Sequence, residues 1–254
     1  MKDGKKVVAT IEARMTSTRL PGKVLLPLGD KPVLARLIER IKRSHTIDTI
    51  VIATTINASD DGIVALAKSM DINVWRGSEE NVLERVLDAA QSVQADIIVE
   101  LTGDNPLVDW RHIDYLVGIV ASDIYDYASN STKETFPRGF DVKVFPARVL
   151  AEVNRLTQDP VDQENVSIYI YNHPEQYKLY NWSAEGKMAR KELRMTLDTK
   201  EDYSLIRTLF ERLLPQDPDF SAEDVVDMFN QEPELAFINA EIKQKNPYGG
   251  YLER

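Results

Sequence analysis

The sequence predicts a single α/β domain, with a mixed, mainly parallel β-sheet flanked by helices and a small antiparallel arm. Apolar, β-branched runs alternate with amphipathic helical segments through residues 5–102, which is the pattern of βαβ units. The connections between these segments are short, so their strands are expected to be parallel. A chain of 254 residues with 43% hydrophobic residues can bury one sizeable core. No repeat or linker divides it, so one domain is expected over residues 1–254.

Hydrophobic periodicity places the elements of the first half in order. Strands are predicted at short apolar runs, and helices where apolar residues recur every three or four positions. The predicted strands are 7–11, 49–55, 72–76 and 96–102, and the predicted helices are 31–44, 59–70 and 78–93. Ser59 is a candidate N-cap for the second helix, and Ser78 or Asn81 for the third. The carboxyl ends of these strands form the edge at which α/β sheets bind ligands.

The second half has a mixed pattern. DYASN, FDVKVF and YKLYNW are typical of strands, while VLAEVNRL and QENVSIYIYN are typical of helices. The segment 125–192 carries six tyrosines and Trp182, which fits either an antiparallel extension with aromatic packing or a subunit contact. We expect a dimerisation arm here and a homodimer. Closing helices are predicted at 199–213 and 221–230, followed by a tail, 231–254, that is irregular or docked on a partner.

Composition excludes several classes of function. The net charge of −10 disfavours nucleic acid as a partner. The absence of cysteine excludes disulfides, thiolate metal sites and a cysteine nucleophile. The amino terminus lacks the apolar core of a signal peptide, and no apolar run approaches 18 residues. We therefore expect a cytoplasmic protein without membrane insertion.

The loop after the first strand has the composition of a polyphosphate site. Its candidate binding residues are Ala13, Arg14, Thr16, Ser17, Thr18, Arg19, Gly22 and Lys23. Arginine forks grip phosphate oxygens, lysine acts as a point charge, and hydroxyl and backbone N–H groups supply further donors. The spacing matches neither GxxxxGK[ST] nor GxGxxG. The alternative is a solvated basic loop.

Two aspartates at predicted strand ends are candidate metal ligands. Gly103 permits a sharp turn after the fourth strand and leaves Asp104 at the sheet edge, where a carboxylate suits Mg²⁺. The alternative is that Asp104 caps the turn; Asp109 is expected only to cap a helix that begins near Trp110. Asp198 follows a predicted strand at 193–197 and either faces the same edge or is an N-cap.

The N-cap alternative for Asp198 has a specific form, in which Glu201 completes a capping box. Asp202 is expected to be a supporting helix-face residue. In the block 137–145, an exposed Arg138 could bind a carboxylate or phosphate of a substrate. Arg76 begins a loop that could face a base or ribose. The three histidines are scattered and are interpreted as structural or surface residues.

Taken together, these blocks resemble a known family. ARMTSTRLPGKVL is similar to the signature loop of the sugar-activating cytidylyltransferases, which include the CMP-KDO and CMP-sialic acid synthetases. The closest resemblance is to the spore-coat-polysaccharide type. Further similar blocks, in the same order, are DDGIVALA, RGSEENVLERVLDAA, LTGDNPLVD, PRGFDVKVF and LRMTLDTKEDY. The resemblance extends from about residue 5 to about residue 215.

The resemblance implies a Rossmann-like nucleotidyltransferase fold of the GT-A type and transfer of CMP from CTP to a sugar acid or sugar phosphate, releasing pyrophosphate. It implies Mg²⁺ on Asp104 and Asp198, and an acceptor site near Arg138, Gly139 and Asp141. The implied catalytic residues are Arg14, Arg19, Lys23, Asp104 and Asp198, with Arg76 and Gly103 in the nucleotide pocket.

Three alternatives stay open. The enzyme could use another nucleotide such as GTP, because every feature described above would be the same in such an enzyme. A glycosyltransferase that uses a nucleotide-sugar is disfavoured by the lack of a DxD motif at a strand end. A non-catalytic nucleotide-binding protein would not require both aspartates and the complete basic loop.

Overall fold

The structure, a computed structural model, describes residues 1–2 and 4–248. The strands in this part of the chain are β1 Val7–Glu12, β2 Pro27–Leu28, β3 Lys31–Pro32, β4 Thr49–Thr55, β5 Asn73–Gly77, β6 Ile97–Thr102, β7 Tyr127–Ser129, β8 Lys143–Pro146 and β9 Leu179–Asn181. The α-helices are α1 Val33–Ile41, α2 Asp61–Ser69, α3 Val82–Ser92, α4 Trp110–Ala121, α5 Ala147–Leu156, α6 Pro160–Glu164, α7 Ile168–Asn172, α8 Lys200–Leu213 and α9 Ala222–Gln231.

Seven strands form one central sheet in the order β5-β4-β1-β6-β8-β7-β9. The first four are parallel, so their carboxyl ends share one edge. Strand β8 is antiparallel to both β6 and β7, and β9 is parallel to β7. The predicted mixed, mainly parallel α/β fold is confirmed.

Both faces of the sheet are buried, because helices cover each of them. Successive strand residues point to opposite faces, and β1 accordingly divides its apolar side chains between two cores. Ala9 and Ile11 pack in the core formed with α1, α2 and α4, while Val8 packs in the core formed with α3 and α5. A third apolar cluster joins α8 and α9 to the turn around Phe140. This arrangement leaves the carboxyl edge of the parallel strands for polar loops.

The region 125–192 mostly extends the central sheet. It contributes β7, β8 and β9, and its aromatic residues pack on the sheet and on α4; Trp182, for example, contacts His112 and Phe136. The separate two-stranded antiparallel sheet is formed elsewhere, by β2 and β3. The antiparallel extension is thus observed, while pairing of two chains through this region stays a prediction.

Three local predictions were wrong. The segment 193–197 is not a strand, because it runs beside a turn and pairs through a single bridge between Arg138 and Arg194. The helix predicted over 163–172 is interrupted between α6 and α7, where Val166 has a φ of 43°, a strained value for a β-branched residue. Ser59 does not cap α2, which begins at Asp61 after a short 3₁₀ turn.

The amino-terminal caps of α3 and α4 follow the sequence. Asn81 accepts a hydrogen bond from the backbone N–H of Glu84, and Asp109 accepts one from that of Arg111. The predicted tail begins with a 3₁₀ turn at Pro233–Phe237 and then runs irregularly over its own chain. Residues 249–254 of that tail lie outside the described residues. Among the helices described, none has the length and hydropathy needed to cross a membrane.

Candidate active site

The loop after β1 is held in a fixed shape by its own backbone and by Asp60. Gly22 adopts a φ of 71° and donates its N–H to the carbonyl of Met15 at 2.9 Å, a conformation that favours glycine. The N–H of Met15 is bound by the carboxylate of Asp60 at 2.9 Å. That buried carboxylate also accepts bonds from the hydroxyls of Thr54 and Thr55 at the end of β4. The loop is therefore organised before any ligand binds.

The centre of the site is an ammonium group between two carboxylates. Lys23 Nζ lies 2.6 Å from Asp104 Oδ2 and 2.8 Å from Asp198 Oδ1. Burial favours the neutral amine, but the two aspartates outweigh it and raise the pKa of Lys23 above its ordinary value. Arg19 Nη2 adds a second cation, 2.9 Å from Asp198 Oδ2. The structure thus brings together four of the five predicted catalytic residues, from positions up to 179 residues apart.

Asp104 is placed by a close approach of two strands. The N–H of Gly103 donates to the carbonyl of Glu12 at 2.8 Å, and a Cβ at position 103 would lie 3.0 Å from the same oxygen. Glycine therefore allows the end of β6 to meet the end of β1. The hydroxyl of Thr102 then donates to Asp104 Oδ1 at 2.6 Å, which leaves the other oxygen for Lys23.

Asp198 is oriented by a buried network. Arg194 Nη2 lies 2.7 Å from Asp198 Oδ2, and Arg194 Nε lies 3.0 Å from Asp202 Oδ1. Burial opposes ionisation of Asp198, but Lys23, Arg19 and Arg194 lower the pKa of its carboxyl. From the tail, Asn239 donates to Asp202 at 2.8 Å.

The capping-box alternative for Asp198 was wrong. Thr199 is the N-cap of α8, and its capping box is completed by Asp202. Asp202 is fully buried in the first turn of α8, where it has the predicted supporting role. Asp198 precedes the helix by two residues and is left free to face Lys23.

Arg14 and the loop hydroxyls lie on the side of β4 and β5. Arg14 Nη1 is 3.4 Å from a carboxylate oxygen of Glu79, which also binds the hydroxyl of Thr16 and the amide of Asn57. Thr16 and Thr18 are exposed and Ser17 is half-buried, so a ligand can reach these side chains, although the Thr16 hydroxyl would have to exchange Glu79 for the ligand. Sequence reasoning missed Glu79; its only signal was its place in the block RGSEEN.

The guanidinium of Arg76 is fully engaged in hydrogen bonds and an ion pair within the protein. Its Nε and Nη2 atoms donate to the carbonyls of Thr55 and Asn57 at 2.8 and 2.7 Å, and its Nη1 atom pairs with Asp61 at 2.7 Å. The structure therefore does not bring Arg76 to the central cluster, and its contact with a nucleotide stays a prediction.

The predicted acceptor block forms a tight turn against the segment that leads to Asp198. Gly139 has a φ of 110°, and a Cβ there would lie 2.5 Å from the carbonyl of Met195. The carbonyl of Arg138 accepts from the N–H of Met195 at 2.7 Å. The Arg138 guanidinium pairs with Glu134, and burial raises the pKa of the half-buried Asp141. Glu134, Arg138 and Asp141 line a small pocket.

The two aspartates fit a divalent cation. Their oxygens face one point, which the Lys23 ammonium occupies as an internal stand-in for a cation. In the described part of the chain, no three Asp, Glu, His or Cys residues group as a complete metal site. Mg²⁺ does not require such a group, since it commonly binds one or two carboxylates together with substrate phosphates.

Comparison with known proteins assigns the family. The family model described as cytidylyltransferase matches residues 8–241. The chain is 36% identical over 238 residues to the spore coat polysaccharide biosynthesis protein SpsF of Bacillus subtilis, a match that covers 91% of this chain and 96% of that protein. A shorter match, 33% identical over 118 residues, is to a 3-deoxy-manno-octulosonate cytidylyltransferase of Anaeromyxobacter dehalogenans and covers 45% of this chain and 47% of that protein.

A solved structure agrees with the sequence matches. A cytidylyltransferase from Leptospira borgpetersenii superposes with a TM-score of 0.86 at 33% identity, covering 91% of this chain and 97% of that one. The predicted resemblance is confirmed, and the chain belongs to the cytidylyltransferase family of nucleotidyltransferase enzymes.

Proposed function

We propose that this enzyme transfers CMP from CTP to a sugar acid or sugar phosphate and releases pyrophosphate. The observation that carries the proposal is the cluster of Lys23, Arg19, Asp104 and Asp198 at the sheet edge. Similarity to the spore coat polysaccharide protein supports a role in the synthesis of surface polysaccharides or glycoconjugates. Because CTP is a cytoplasmic metabolite, we place the reaction in the cytoplasm.

The basic residues would stabilise negative charge on the triphosphate. Arg14, Arg19 and Lys23 can each donate to phosphate oxygens, and charge on the leaving pyrophosphate grows during the transfer. In the free protein these cations are paired with Glu79, Asp198 and Asp104. Binding of the nucleotide therefore exchanges carboxylate partners for phosphate partners, which lowers the net cost of bringing anionic CTP to an acidic protein.

Asp104 and Asp198 are the residues that would hold Mg²⁺. The metal would supply positive charge at the α-phosphate and lower the pKa of an attacking sugar hydroxyl. Arg194 keeps Asp198 ionised and fixed in place, and the hydroxyl of Thr102 orients one oxygen of Asp104. Arg138, Gly139 and Asp141 would flank the acceptor. We also propose that two copies of the chain pair through residues 125–192.

The test is pyrophosphate release with each of four NTPs, Mg²⁺ and a panel of sugar acids and sugar 1-phosphates. We expect pyrophosphate release when CTP is the nucleotide and not with the other three NTPs. The Asp104→Asn variant serves as the inactive control. Release with GTP instead would select the alternative nucleotide. Thermal stabilisation by an NTP without pyrophosphate release with any acceptor would indicate a non-catalytic nucleotide-binding protein.

A further inference from the structure

A basic cavity lies between α1 and the end of α8 and shares no lining residue with the proposed active site. Its volume is about 370 Å³, which is within the range of small-molecule sites. The charged side chains that line it are Lys31, Arg36, Glu39, Arg40, Lys42 and Arg43. Five cations and one carboxylate thus meet in a chain whose net charge is −10. Such a local excess of positive charge attracts anions.

Arg40 is a buried cation without a counterion among residues 1–2 and 4–248. Its side chain is 4% exposed. Its Nε atom donates to the carbonyl of Val108 at 2.9 Å, its Nη2 atom donates to that of Phe220 at 3.0 Å, and the guanidinium lies 4.3 Å from the centre of the Phe220 ring. Burial lowers the pKa of Arg40 to about 10, so the group is charged at neutral pH. Buried charges are ordinarily paired, and carbonyls and a ring do not supply the missing negative charge.

The Nη1 atom of Arg40 is the part of the guanidinium that the fold does not use. A guanidinium carries five N–H groups, and Nε and Nη2 use three of them, the third in a longer bond to the carbonyl of Leu107 at 3.5 Å. Both N–H groups of Nη1 lack an acceptor in the described part of the chain, and this atom is not closed off from solvent. Nε and Nη2 therefore fulfil the structural role of Arg40, and Nη1 is free to bind a ligand in the cavity.

Two more guanidinium groups line the same cavity. Arg36, Arg40 and Arg43 are spaced i, i+4 and i+7, which places them on one face of a helix. Arg43 lies in the turn that continues α1, where its N–H donates to the carbonyl of Arg40 at 3.2 Å. Arg43 pairs with the partly exposed Asp219 at 2.7 Å, and Arg36 pairs with carboxylates that are also partly exposed. Ion pairs of this kind are weak, so both arginines can exchange a carboxylate for a more highly charged ligand.

We propose that this cavity binds the phosphate group of a small phosphate ester, with Arg40 as its central ligand, at a site separate from the catalytic one. A phosphate monoester presents three terminal oxygens and up to two negative charges, which suits several guanidinium groups better than the two oxygens and single charge of a carboxylate. The cavity is larger than a phosphate ion requires. The organic part of the ligand would lie against Leu214 and Pro218, which also line the cavity.

The indole N–H of Trp110 reports binding at this cavity without any turnover. Trp110 Nε1 donates to Asp219 at 3.0 Å, and the same carboxylate pairs with Arg43, so a ligand that engages Arg43 should shift the NMR signal of this N–H. The chain has three tryptophans, and Trp110→Phe assigns the signal. The probes are ribose 5-phosphate, inorganic phosphate and ribose, each titrated at constant ionic strength. We expect a saturable shift with ribose 5-phosphate, a weaker one with phosphate and none with ribose.

A matched pair of variants tests whether the cavity is the binding site. Pro218→Glu adds a carboxylate to the cavity wall, where it can pair with Arg40, and Pro215→Glu makes the same change in the same connection but outside the cavity. Both prolines are exposed, so both variants should keep their fold, which circular dichroism checks.

Pro218→Glu should raise the Kd for ribose 5-phosphate by about tenfold or more, because the new carboxylate competes with the phosphate and repels it. Pro215→Glu should change this Kd by less than about twofold, since its charge lies outside the cavity. Lys23→Met, which alters the catalytic site, should leave the Trp110 shift unchanged. Equal affinity of the two proline variants, loss of the shift in Lys23→Met, or a shift with a tetraglutamate peptide but not with ribose 5-phosphate would overturn the proposal.

Discussion

Replacing Lys23 by methionine should destabilise the free protein in a way that Mg²⁺ reverses. The change removes the ammonium but keeps most of the aliphatic volume, so Asp104 and Asp198 are left facing each other. Removing one partner of a buried ion pair typically costs 3–5 kcal/mol. The cost here should be about 3 kcal/mol, at the lower end of that range, because the side chain of Asp104 is 22% exposed and Asp198 keeps Arg19 and Arg194.

That cost corresponds to a fall in melting temperature of about 6–12 °C, at about 2–4 °C per kcal/mol for a chain of this size. Unfolding is followed by circular dichroism with and without millimolar Mg²⁺, and the exposed Lys68→Met variant is the matched control. Mg²⁺ should raise the melting temperature of Lys23→Met more than that of the wild type, since the cation replaces the lost charge. Equal stability of the two proteins, or equal responses to Mg²⁺, would refute the role of Lys23 as internal counterion.

The loss of stability in the Lys23→Met variant should also depend on pH, with a defined sign. The pKa of Asp198 is lowered in the folded protein, chiefly by Lys23 and its other cations acting against burial. A lowered carboxyl pKa stabilises the fold above the unfolded pKa of about 3.9, and this contribution disappears as the pH falls through the folded value. The difference in stability between wild type and Lys23→Met should therefore be full above about pH 5 and shrink below about pH 4.

Four further outcomes are expected. CTP and Mg²⁺ together should stabilise the wild type by about 2.7 kcal/mol at a hundredfold excess over Kd, and a thermal scan with no shift would contradict the nucleotide site. Asp104→Asn should lose turnover while its melting temperature stays near that of the wild type; retained pyrophosphate release would remove Asp104 from the mechanism. Gly139→Ala should lower the free energy of unfolding in a urea titration by at least about 2 kcal/mol, because φ is positive and the new Cβ would lie 2.5 Å from the carbonyl of Met195. Gly118→Ala in α4 is the control; it has open space around it and should be neutral or slightly stabilising in the same titration. Light scattering at micromolar concentration should give the mass of a dimer, and a monomer would show that residues 125–192 only complete the sheet.

Much of the fold could be predicted because local hydrophobic patterning reports it directly. The parallel strands agree with the structure to within one residue at every end, since each is a mostly apolar run bounded by polar turns. The prediction of a strand at 193–197 was wrong because composition does not show over how many residues a neighbouring segment runs beside this one and can pair with it. Here only one residue of that segment pairs before the chain turns toward Asp198.

The candidate site was predictable where one short segment carries several functional groups. The basic loop and the turn at Asp104 each combine a special backbone residue with charged side chains, and both lie at strand ends. Glu79 was not predictable in the same way, because its partners Arg14 and Thr16 lie 65 and 63 residues away along the chain. Arg194 was missed although Asp198 is only four residues away, because the local sequence does not show that the two side chains are buried against each other. Asp202 was underestimated for a similar reason, since its capping role depends on the helix beginning one residue later than the spacing of Asp198 and Glu201 suggested.

The ammonium of Lys23 has a consequence for when the enzyme acquires its metal. A tethered cation competes for Asp104 and Asp198 at a high local concentration, so a free divalent ion must displace a ligand that cannot diffuse away. A metal ion that is bound to a triphosphate replaces Lys23 more easily. The phosphate accepts hydrogen bonds from the Lys23 ammonium when that ammonium leaves the two carboxylates. The resting enzyme should therefore be insensitive to fluctuations in free Mg²⁺ and load the ion together with its nucleotide.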